Sequence, residues 1–345
     1  MSGLPLVHDN DTENNRMAAP TCSNTLAGSI FGGNWMIAKS DVTVLVVDDE
    51  PEIRSLIADY LSDEEGYKVL EAENGRDALD NIIPNCKVDL VLSDINMPVM
   101  KGFDLLNEVR RHYPYIKRVL ITAYNVEDYL ELALKHDVGN IFVKTTPFNF
   151  AELSACLECL LTGNIFGAER YFDSPAQRRS VMVKRGDCVA ESAARIIALL
   201  PQTTIPSKLE LVLIELLTNA VFYGVRNERP DRKEGWNHDF ELSDEEAVQV
   251  SVMWDAEKHA VSIVDTGGKL KKRDVLYWLN RQVSRDEQGM PVGLFDSHGR
   301  GLFIARKYID RMIINIDRAR KTELIVVNYH DKSFEGYKPL YINEL

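Results

Sequence analysis

Five polar residues at the ends of short apolar runs have side chains that could carry out phosphoryl chemistry together: Asp48, Asp49, Asp94, Thr122 and Lys144. Three carboxylates brought into one crevice repel one another unless a cation joins them, and hard oxygen ligands suit Mg²⁺. With the cation bound, Asp94 could attack a phosphoryl group while Thr122 and Lys144 contact the oxygens on which charge develops. The alternative is a set of helix-capping acids in a plain α/β domain, but five matched positions favour the magnesium site.

The elements that must position these residues are short β-rich runs that alternate with amphipathic helices. The runs cover 44–47, 69–71, 90–93, 119–122 and 141–143, and the helices between them begin near Pro51, Gly75, Gly102, Val126 and Asn149. Five βα units in a row predict a doubly wound parallel sheet, in which the loops at the carboxyl ends of the strands carry the chemistry. The five polar residues fall at those ends.

A second pair of polar residues, Glu215 and Asn219, stands four residues apart in the apolar stretch 209–224. Helical spacing places both side chains on one side of a helix. The amide oxygen of Asn219 could bind a nucleotide-bound Mg²⁺, while Glu215 positions or deprotonates a hydroxyl or a water. The alternative is a buried helix in which both side chains hydrogen-bond to their neighbours.

Two glycine-containing motifs follow this helix. Asp265-Thr266-Gly267-Gly268 ends a predicted strand, where the carboxylate could bind an adenine amino group while the backbone passes close to the base. Gly299-Arg300-Gly301 opens a predicted helix whose free N–H groups could cradle phosphates. Further strands are expected at 180–184, 248–254 and 322–327, with a helix at 187–200.

Composition narrows the class of protein. A length of 345 residues with 45% hydrophobic residues is enough for two globular domains, each with its own core. A net charge of −13 disfavours a general nucleic-acid binder, which depends on clustered Lys and Arg. No apolar run approaches the length of a membrane helix, so we expect a cytoplasmic protein. Five cysteines, an odd number, favour reduced thiols.

The first half resembles a two-component response-regulator receiver domain in residues 44–51, 93–98, 121–123 and 142–148, and that family has a flavodoxin-like (βα)5 fold. The resemblance implies the following roles: Asp94 as phosphoacceptor, Asp48, Asp49, Asp94 and the backbone carbonyl of Asn96 around Mg²⁺, Thr122 as switch hydroxyl and Lys144 as phosphate-sensing lysine. Its implied phosphodonor is a cognate sensor histidine kinase or a phosphotransfer protein.

The chain departs from this family in two places. Ile141 stands where an aromatic switch residue is common, and the usual Lys-Pro is extended to Lys144-Thr145-Thr146-Pro147. The first departure concerns the switch side chain, and the second concerns whether a cis peptide follows Lys144.

The second half resembles the α+β GHKL (Bergerat-type) ATP-binding fold, through the order Glu215-x-x-x-Asn219, Asp265-x-Gly267 and Gly299-x-Gly301. Within that superfamily it is most similar to the anti-sigma-factor serine kinases. The resemblance implies ATP as cofactor and these roles: Asn219 as Mg²⁺ ligand, Glu215 as catalytic acid/base, Asp265 with Gly267 at the adenine, and Gly299, Arg300 and Gly301 at the phosphates. Lys269 replaces the usual second glycine of Asp-x-Gly-x-Gly.

The sequence thus predicts an N-terminal tail at 1–40, a receiver domain at 41–162, a linker at 163–179, a GHKL domain at 180–330 and a C-terminal tail at 331–345. The predicted function is a response regulator whose Asp phosphorylation controls an anti-sigma-type protein Ser/Thr kinase in a partner-switching pathway. Its partners would be a STAS-type anti-sigma antagonist or a sigma factor, with no direct contact to nucleic acid or membrane, and homodimerisation is left open.

The sequence leaves three alternatives to this function, of which a transcription factor is disfavoured because the chain lacks a basic reading helix. A receiver-controlled pseudokinase would sequester a partner without phosphoryl transfer. An atypical histidine-kinase-like protein would need a phosphoacceptor histidine on a helix before the ATP domain, but no histidine occurs between His136 and His238.

Overall fold

The computed structural model of this chain describes residues 38–172, 175–201, 208–228, 237–293, 296, 299–331 and 336–345. The predicted N-terminal tail falls almost wholly outside the described residues, and Lys39–Asp41 forms a single 3₁₀ turn. Within the described part of the chain, no helix is both long and apolar enough to cross a bilayer.

The first half contains the predicted alternation of strands and helices. The parallel strands lie in the order β2-β1-β3-β4-β5, with bounds β1 Thr43–Val47, β2 Lys68–Ala72, β3 Leu90–Asp94, β4 Lys117–Thr122 and β5 Asn140–Val143. The helices are α1 Pro51–Asp59, α2 Gly75–Asp77, α3 Gly102–His112, α4 Leu130–His136 and α5 Phe150–Thr162. Strands β1 and β3 are buried along their whole length, because helices cover both faces of the sheet. The flavodoxin-like receiver fold is confirmed.

The second half is a mostly antiparallel sheet with helices on one face. Its strands lie in the order β9-β10-β8-β7-β6, with bounds β6 Gln177–Val183, β7 Val248–Trp254, β8 Lys258–Asp265, β9 Arg311–Asp317 and β10 Lys321–Tyr329. Its helices are α6 Val189–Ala198, α7 Leu209–Thr218, α8 Lys272–Val283 and α9 Arg300–Tyr308, and α7 continues as a π-helical stretch over Asn219–Val225. Helix α8 and strand β9 were not predicted from the sequence.

A last strand, β11 (Leu340–Glu344), joins the two halves into one sheet of eleven strands among the described residues. It pairs antiparallel with β5, where Leu340 faces Ile141, and parallel with β9, where Ile342 faces Ile314. The prediction of a C-terminal tail at 331–345 is therefore wrong for these residues. The error has a physical reason, since a short apolar run becomes a strand only when two existing edges offer it hydrogen-bonding partners.

The apolar residues form one core on each side of the sheet. Helices α2–α4 and α6–α9 cover one face, and α1, α5 and residues 168–172 cover the other. Residues 168–172 belong to the predicted linker, which contains a 3₁₀ turn at Ala168–Tyr171, and β6 begins within the predicted linker as well. The N–H of Gly167 donates to Glu323 on β10, so this segment is hydrogen-bonded to the sheet.

Ionic contacts reinforce the joint between the halves. Arg311 on β9 donates through Nε to both carboxylate oxygens of Glu152 on α5, at 2.7 and 2.8 Å, and both side chains are buried. Lys272 at the start of α8 lies 3.0 Å from the carboxylate of Asp137, which ends α4. Arg306 on α9 donates to the carbonyl oxygens of Pro339 and Lys338, just before β11.

We predict that Ile342→Ala destabilises the folded chain by about 2–4 kcal/mol, because a side chain that is fully buried in the core is truncated. Chemical denaturation followed by circular dichroism would measure the change. Leu345→Ala is the matched control, since that side chain is mostly exposed and should cost little. Equal stability of wild type and Ile342→Ala would mean that β11 is not part of the folded core.

Candidate functional sites

The first candidate site lies at the carboxyl ends of β1, β3 and β5, where the ammonium group of Lys144 stands between carboxylates. Its Nζ is 2.9 Å from Asp48 Oδ2, 2.8 Å from Asp94 Oδ1 and 3.4 Å from Glu50 Oε1. Parallel strands bring their carboxyl ends to one edge, so residues nearly 100 positions apart in the chain meet there. The structure thus brings together Asp48, Asp94 and Lys144 as the sequence predicts, and it adds Glu50.

Backbone groups fix the two buried carboxylates. Asp94 Oδ2 accepts from the N–H of Asn96 at 2.6 Å, and Asp48 Oδ1 accepts from the N–H of Glu50 at 3.0 Å. A Cβ at Gly102 would collide with the carbonyl oxygen of Asp94, so glycine lets α3 start directly beneath this loop. The carboxylates are held in place by the fold.

Burial and charge act in opposite directions on this site. Burial raises the pKa of Asp94 above its usual value, and the hydrogen bond and charge of Lys144 partly offset this effect. Burial would lower the pKa of Lys144, but its bonds to Asp94 and Asp48 outweigh that effect and raise it. Lys144 therefore stays protonated and neutralises carboxylates that would otherwise repel each other.

The carboxylate oxygens of this site are suitable ligands for a divalent cation, although Asp49 is not buried with Asp48 and Asp94. Asp49 is exposed at the rim, and no group of three or more His, Cys, Asp or Glu side chains in the described part of the chain is already arranged to hold a metal ion. However, oxygens of Asp48 and Asp94 each lie within 3 Å of one cationic atom, Lys144 Nζ. Both oxygens thus face a single centre of positive charge, and carboxylate oxygens are the ligands that Mg²⁺ prefers.

Two further residues connect this site to its surroundings. Thr122 is buried at the end of β4, and its hydroxyl accepts from the N–H of Tyr124 at 3.1 Å. The side-chain amide of Asn96 donates to the hydroxyl of Tyr129 at 2.6 Å, in the 3₁₀ turn before α4. Tyr129 was not singled out from the sequence.

Ile141 is fully buried, and the cis peptide lies between Thr146 and Pro147 rather than directly after Lys144.

The second candidate site is a cavity of about 350 Å³ between α7, α8, α9 and the sheet. Its lining includes four of the predicted nucleotide-site residues, Asn219, Asp265, Gly299 and Gly301. It also includes residues that the motifs did not assign to the site: Ala220, Tyr223, Gly224, Asn227, Glu228, Lys269, Leu270, Asp274, Trp278, Leu302, Thr322 and Leu324. Three motifs separated along the chain therefore converge on one cavity.

Asp265 is the buried acid of this cavity. It ends β8 and accepts from the N–H of Gly267 at 3.0 Å, yet burial raises the pKa of Asp265 to about 6. A Cβ at Gly267 would collide with the carbonyl oxygen of Gly224, and a Cβ at Gly224 would press on the carboxylate of Asp265. Glycine is required at both positions because α7 ends against the strand.

Thr322 faces Asp265 across the β8–β10 ladder and also lines the cavity. Its hydroxyl is buried and has no hydrogen-bond partner within the described residues. A buried hydroxyl without a partner is costly, so a polar ligand beside Asp265 would stabilise both groups. Sequence reasoning missed Thr322 because its place depends on strand register.

Helix α9 begins at the edge of the same cavity, close to the predicted acid/base. A Cβ at Gly301 would come within 2.8 Å of Glu215 Oε2 and 3.4 Å of Asn219 Nδ2. Gly299 has a positive φ of 80°, and a Cβ there would collide with Trp278. Arg300 is exposed at the first position of α9, while the preceding Ser297 and His298 fall outside the described residues.

A known protein family and a known relative match the first half of this chain. The response regulator receiver domain family matches residues 44–158. The chemotaxis protein CheY1 of Helicobacter pylori is 37% identical over 124 residues, which are 35% of this chain and 98% of that protein. This chain belongs to the response-regulator receiver family.

Two further proteins are similar to this chain, and one of them matches a stretch longer than the receiver. A probable transcriptional regulatory protein of Picosynechococcus is 30% identical over 223 residues, which cover 62% of this chain and 83% of that protein. The crystal structure of response regulator protein TrrA from Thermotoga maritima, in complex with Mg²⁺-BeF, is 38% identical, with a TM-score of 0.31, 35% of this chain covered and 99% of that one.

We predict that Asp265→Asn stabilises the folded protein at pH 7–8 and that this increase in stability becomes smaller towards pH 4. The folded pKa of about 6 lies above the ordinary 3.8, so ionisation of the buried carboxyl opposes folding as pH rises through this window. The gain at pH 7 should be on the order of 3 kcal/mol, because asparagine keeps the acceptor for Gly267 without the charge.

Urea unfolding of both proteins at pH 4.5 and 7.5 would measure this difference. Asp274→Asn, at an exposed position of the same cavity, is the control and should change the free energy of unfolding little. A gain for Asp265→Asn that is the same at both pH values would contradict the assignment of a buried, late-ionising carboxyl.

Proposed function

We propose that this response regulator controls an ATP-dependent protein Ser/Thr kinase of the GHKL type, resembling the anti-sigma-factor kinases, through phosphorylation of Asp94. The observation that carries the proposal is the convergence of Asn219, Asp265, Gly301 and Thr322 on one cavity. A buried acid next to a hydroxyl without a partner among the described residues fits the polar edge of a purine, and the start of a helix in the same lining fits phosphates.

In the receiver half, a carboxylate oxygen of Asp94 attacks the phosphorus of the donor, and the bond from phosphorus to the leaving group breaks. The leaving group takes a proton from its surroundings. Lys144 already lies 2.8 Å from Asp94 and neutralises charge on the transferring oxygens. Mg²⁺, held by Asp48 and Asp49 with Asp94 and the carbonyl of Asn96, would supply further charge neutralisation. The donor would be a sensor histidine kinase or a phosphotransfer protein.

In the second half, ATP would lie with its adenine at Asp265 and its phosphates at the start of α9. The ionised Asp265 accepts a hydrogen bond from the adenine amino group, and Gly267 lets the backbone lie close to the base. Gly299, Arg300 and Gly301 would surround the phosphates, and the amide oxygen of Asn219 would bind the accompanying Mg²⁺. Glu215 would take the proton of the substrate Ser or Thr hydroxyl as the hydroxyl oxygen attacks the γ-phosphorus and the bond from that phosphorus to ADP breaks.

The contact between α4 and α8 gives the receiver a route to this cavity. Phosphorylation of Asp94 alters the surroundings of Asn96, whose amide holds Tyr129 immediately before α4. Asp137 at the other end of α4 pairs with Lys272 on α8, and the same helix supplies Asp274 and Trp278 to the cavity. A shift of α4 would therefore change the wall of the nucleotide site.

A second candidate function is a receiver-controlled binding module that sequesters a partner without phosphoryl transfer. The observation that favours it is Lys269, which lines the cavity where the GHKL motif has a glycine. A long cationic side chain there would restrict the loop that closes over nucleotide. In both cases the proposed partner is a STAS-type anti-sigma antagonist or a sigma factor.

We predict that a small-molecule phosphodonor with Mg²⁺ labels Asp94 and that Asp94→Asn abolishes the label, because an uncharged amide replaces the nucleophilic carboxylate. Intact-protein mass spectrometry and the acid or base lability of the label would measure this. Asp104→Asn, an exposed acid on α3, should keep the label. Undiminished phosphorylation of Asp94→Asn would place the nucleophile elsewhere.

We predict that phosphorylation of Asp94 changes the rate of partner phosphorylation by about tenfold, a coupling of roughly 1–2 kcal/mol, in a direction left open. Transfer from labelled ATP to a STAS-type antagonist would be compared for the phosphorylated chain, the unphosphorylated chain and Asp94→Asn. Glu215→Gln should eliminate transfer but keep ATP bound, whereas Asn219→Ala should lose Mg²⁺-dependent ATP binding in calorimetry.

Matched variants test the route between the halves. Lys272→Met removes the pair with Asp137 and should shrink the tenfold effect, while Lys271→Met, at the exposed neighbouring position, should preserve it. Equal rates of transfer in all phosphorylation states would refute the proposal that the receiver regulates the kinase. Absence of transfer, together with a partner affinity that depends on phosphorylation, would select the binding module instead.

A further inference from the structure

A second, smaller cavity lies at the joint of the two halves, away from both sites described above. Its volume is about 60 Å³, and it is enclosed by the start of α5, the segment before β6 and strands β8–β11. Its lining consists of Asn149, Ala151, Glu152, Arg170, Tyr171, Glu257, Lys258, Arg311, Ile313, Val327, Tyr329 and Tyr341. Ala151 and Glu257 are exposed, so the cavity is connected to solvent on that side.

Arg311 provides an unused donor to this cavity. Its side chain is only 7% exposed, its Nε is engaged by Glu152, and its Nη1 donates to the carbonyl oxygen of Asp310 at 3.1 Å. Its Nη2 is buried and has no hydrogen-bond partner in the described part of the chain. A buried cationic N–H group without an acceptor is costly, so the site favours a ligand that supplies one.

Lys258 adds a second buried cation to the same lining. It is 5% exposed, and its ammonium lies 5.8 Å from the centre of the Tyr329 ring, while the Arg311 guanidinium lies 5.5 Å from that ring. Arg170 is a third cation, although its donors reach carbonyl oxygens and the sulfur of Cys159. The charged groups of the lining are three cations, Lys258, Arg311 and Arg170, and two carboxylates. Glu152 is already hydrogen-bonded to Arg311 and Asn149, and Glu257 is exposed.

We propose that this cavity binds a small free oxyanion of the size and charge of inorganic phosphate. The start of α5 at the same wall favours negative charge. A cavity of about 60 Å³ limits the ligand to a few heavy atoms, so the anion itself rather than a phosphorylated metabolite is the occupant. Because α5 belongs to the receiver half and Arg311 and Lys258 to the other, the bound anion stabilises their joint.

Inorganic phosphate, titrated at constant ionic strength, tests the proposal by calorimetry and thermal unfolding of the full chain. We expect one bound anion and a rise in Tm of about 2–4 °C at tenfold excess over Kd. Lys258→Met, which keeps most of the side-chain volume, should weaken binding at least tenfold. Lys321→Met, on the same sheet but outside the cavity, should bind as wild type does.

Two more variants separate this cavity from the other anion-attracting sites. Asp94→Asn and Lys269→Met should retain the phosphate affinity of the wild type, and loss of affinity in either variant would overturn the proposal. Unchanged affinity in Lys258→Met, or no binding of phosphate to the wild type, would also overturn it. Glucose 6-phosphate should bind at least tenfold more weakly than phosphate, and equal affinity would overturn the assignment to a free anion.

A direct observation on wild-type protein keeps the test decisive if Lys258→Met does not fold. Crystals soaked in selenate should show an anomalous peak within about 4.5 Å of Lys258 Nζ and Arg311 Nη2, because an oxygen of the anion lies between selenium and each donor. Anomalous peaks only at other positions, or none, would overturn the proposal.

Discussion

The pairing of β11 with β5 and β9 is the constraint on which the arrangement of the two halves depends. Without it, the parallel sheet would end at β5 and the antiparallel sheet at β9, each with a row of unpaired backbone groups. The N–H of Ile342 donates to the carbonyl oxygen of Gly139 at 2.9 Å, which anchors the strand beside the receiver. The ion pair of Arg311 with Glu152 then fixes the second half against α5. The halves share one sheet rather than being joined by a tether alone.

A shared sheet restricts how a signal can pass from one half to the other. Sheets deform little along their hydrogen-bonded direction, so a hinge between the halves is disfavoured by the loss of β11 pairing. The helices on the sheet have more freedom, and α4 meets α8 through Asp137 and Lys272. Control by small helix shifts at a packed contact therefore fits this architecture better than rotation of whole domains.

Much of the receiver site could be predicted from sequence because its residues follow buried strands of regular pattern. Asp94 and Lys144 meet because strand ends meet, whereas Glu50 joins them through a turn that no pattern specifies. In the second half, β9 was missed because Asn315 interrupts its apolar pattern, and that asparagine is buried only because Glu323 and Asn343 satisfy it. Thr322 is likewise defined by cross-strand register. Contacts that depend on tertiary pairing leave no local signal.

The position of β11 in the chain also has a consequence for how the protein is made. Strands β5 and β11 are about 200 residues apart, so their pairing is among the most non-local contacts of the fold. During synthesis, the βα units of the receiver leave the ribosome well before residues 340–344 exist. The apolar edge of β5 therefore lacks its pairing with β11 until the second half has been translated. We expect nascent chains at this stage to depend on chaperones, and the slowest step of folding to be closure of the sheet.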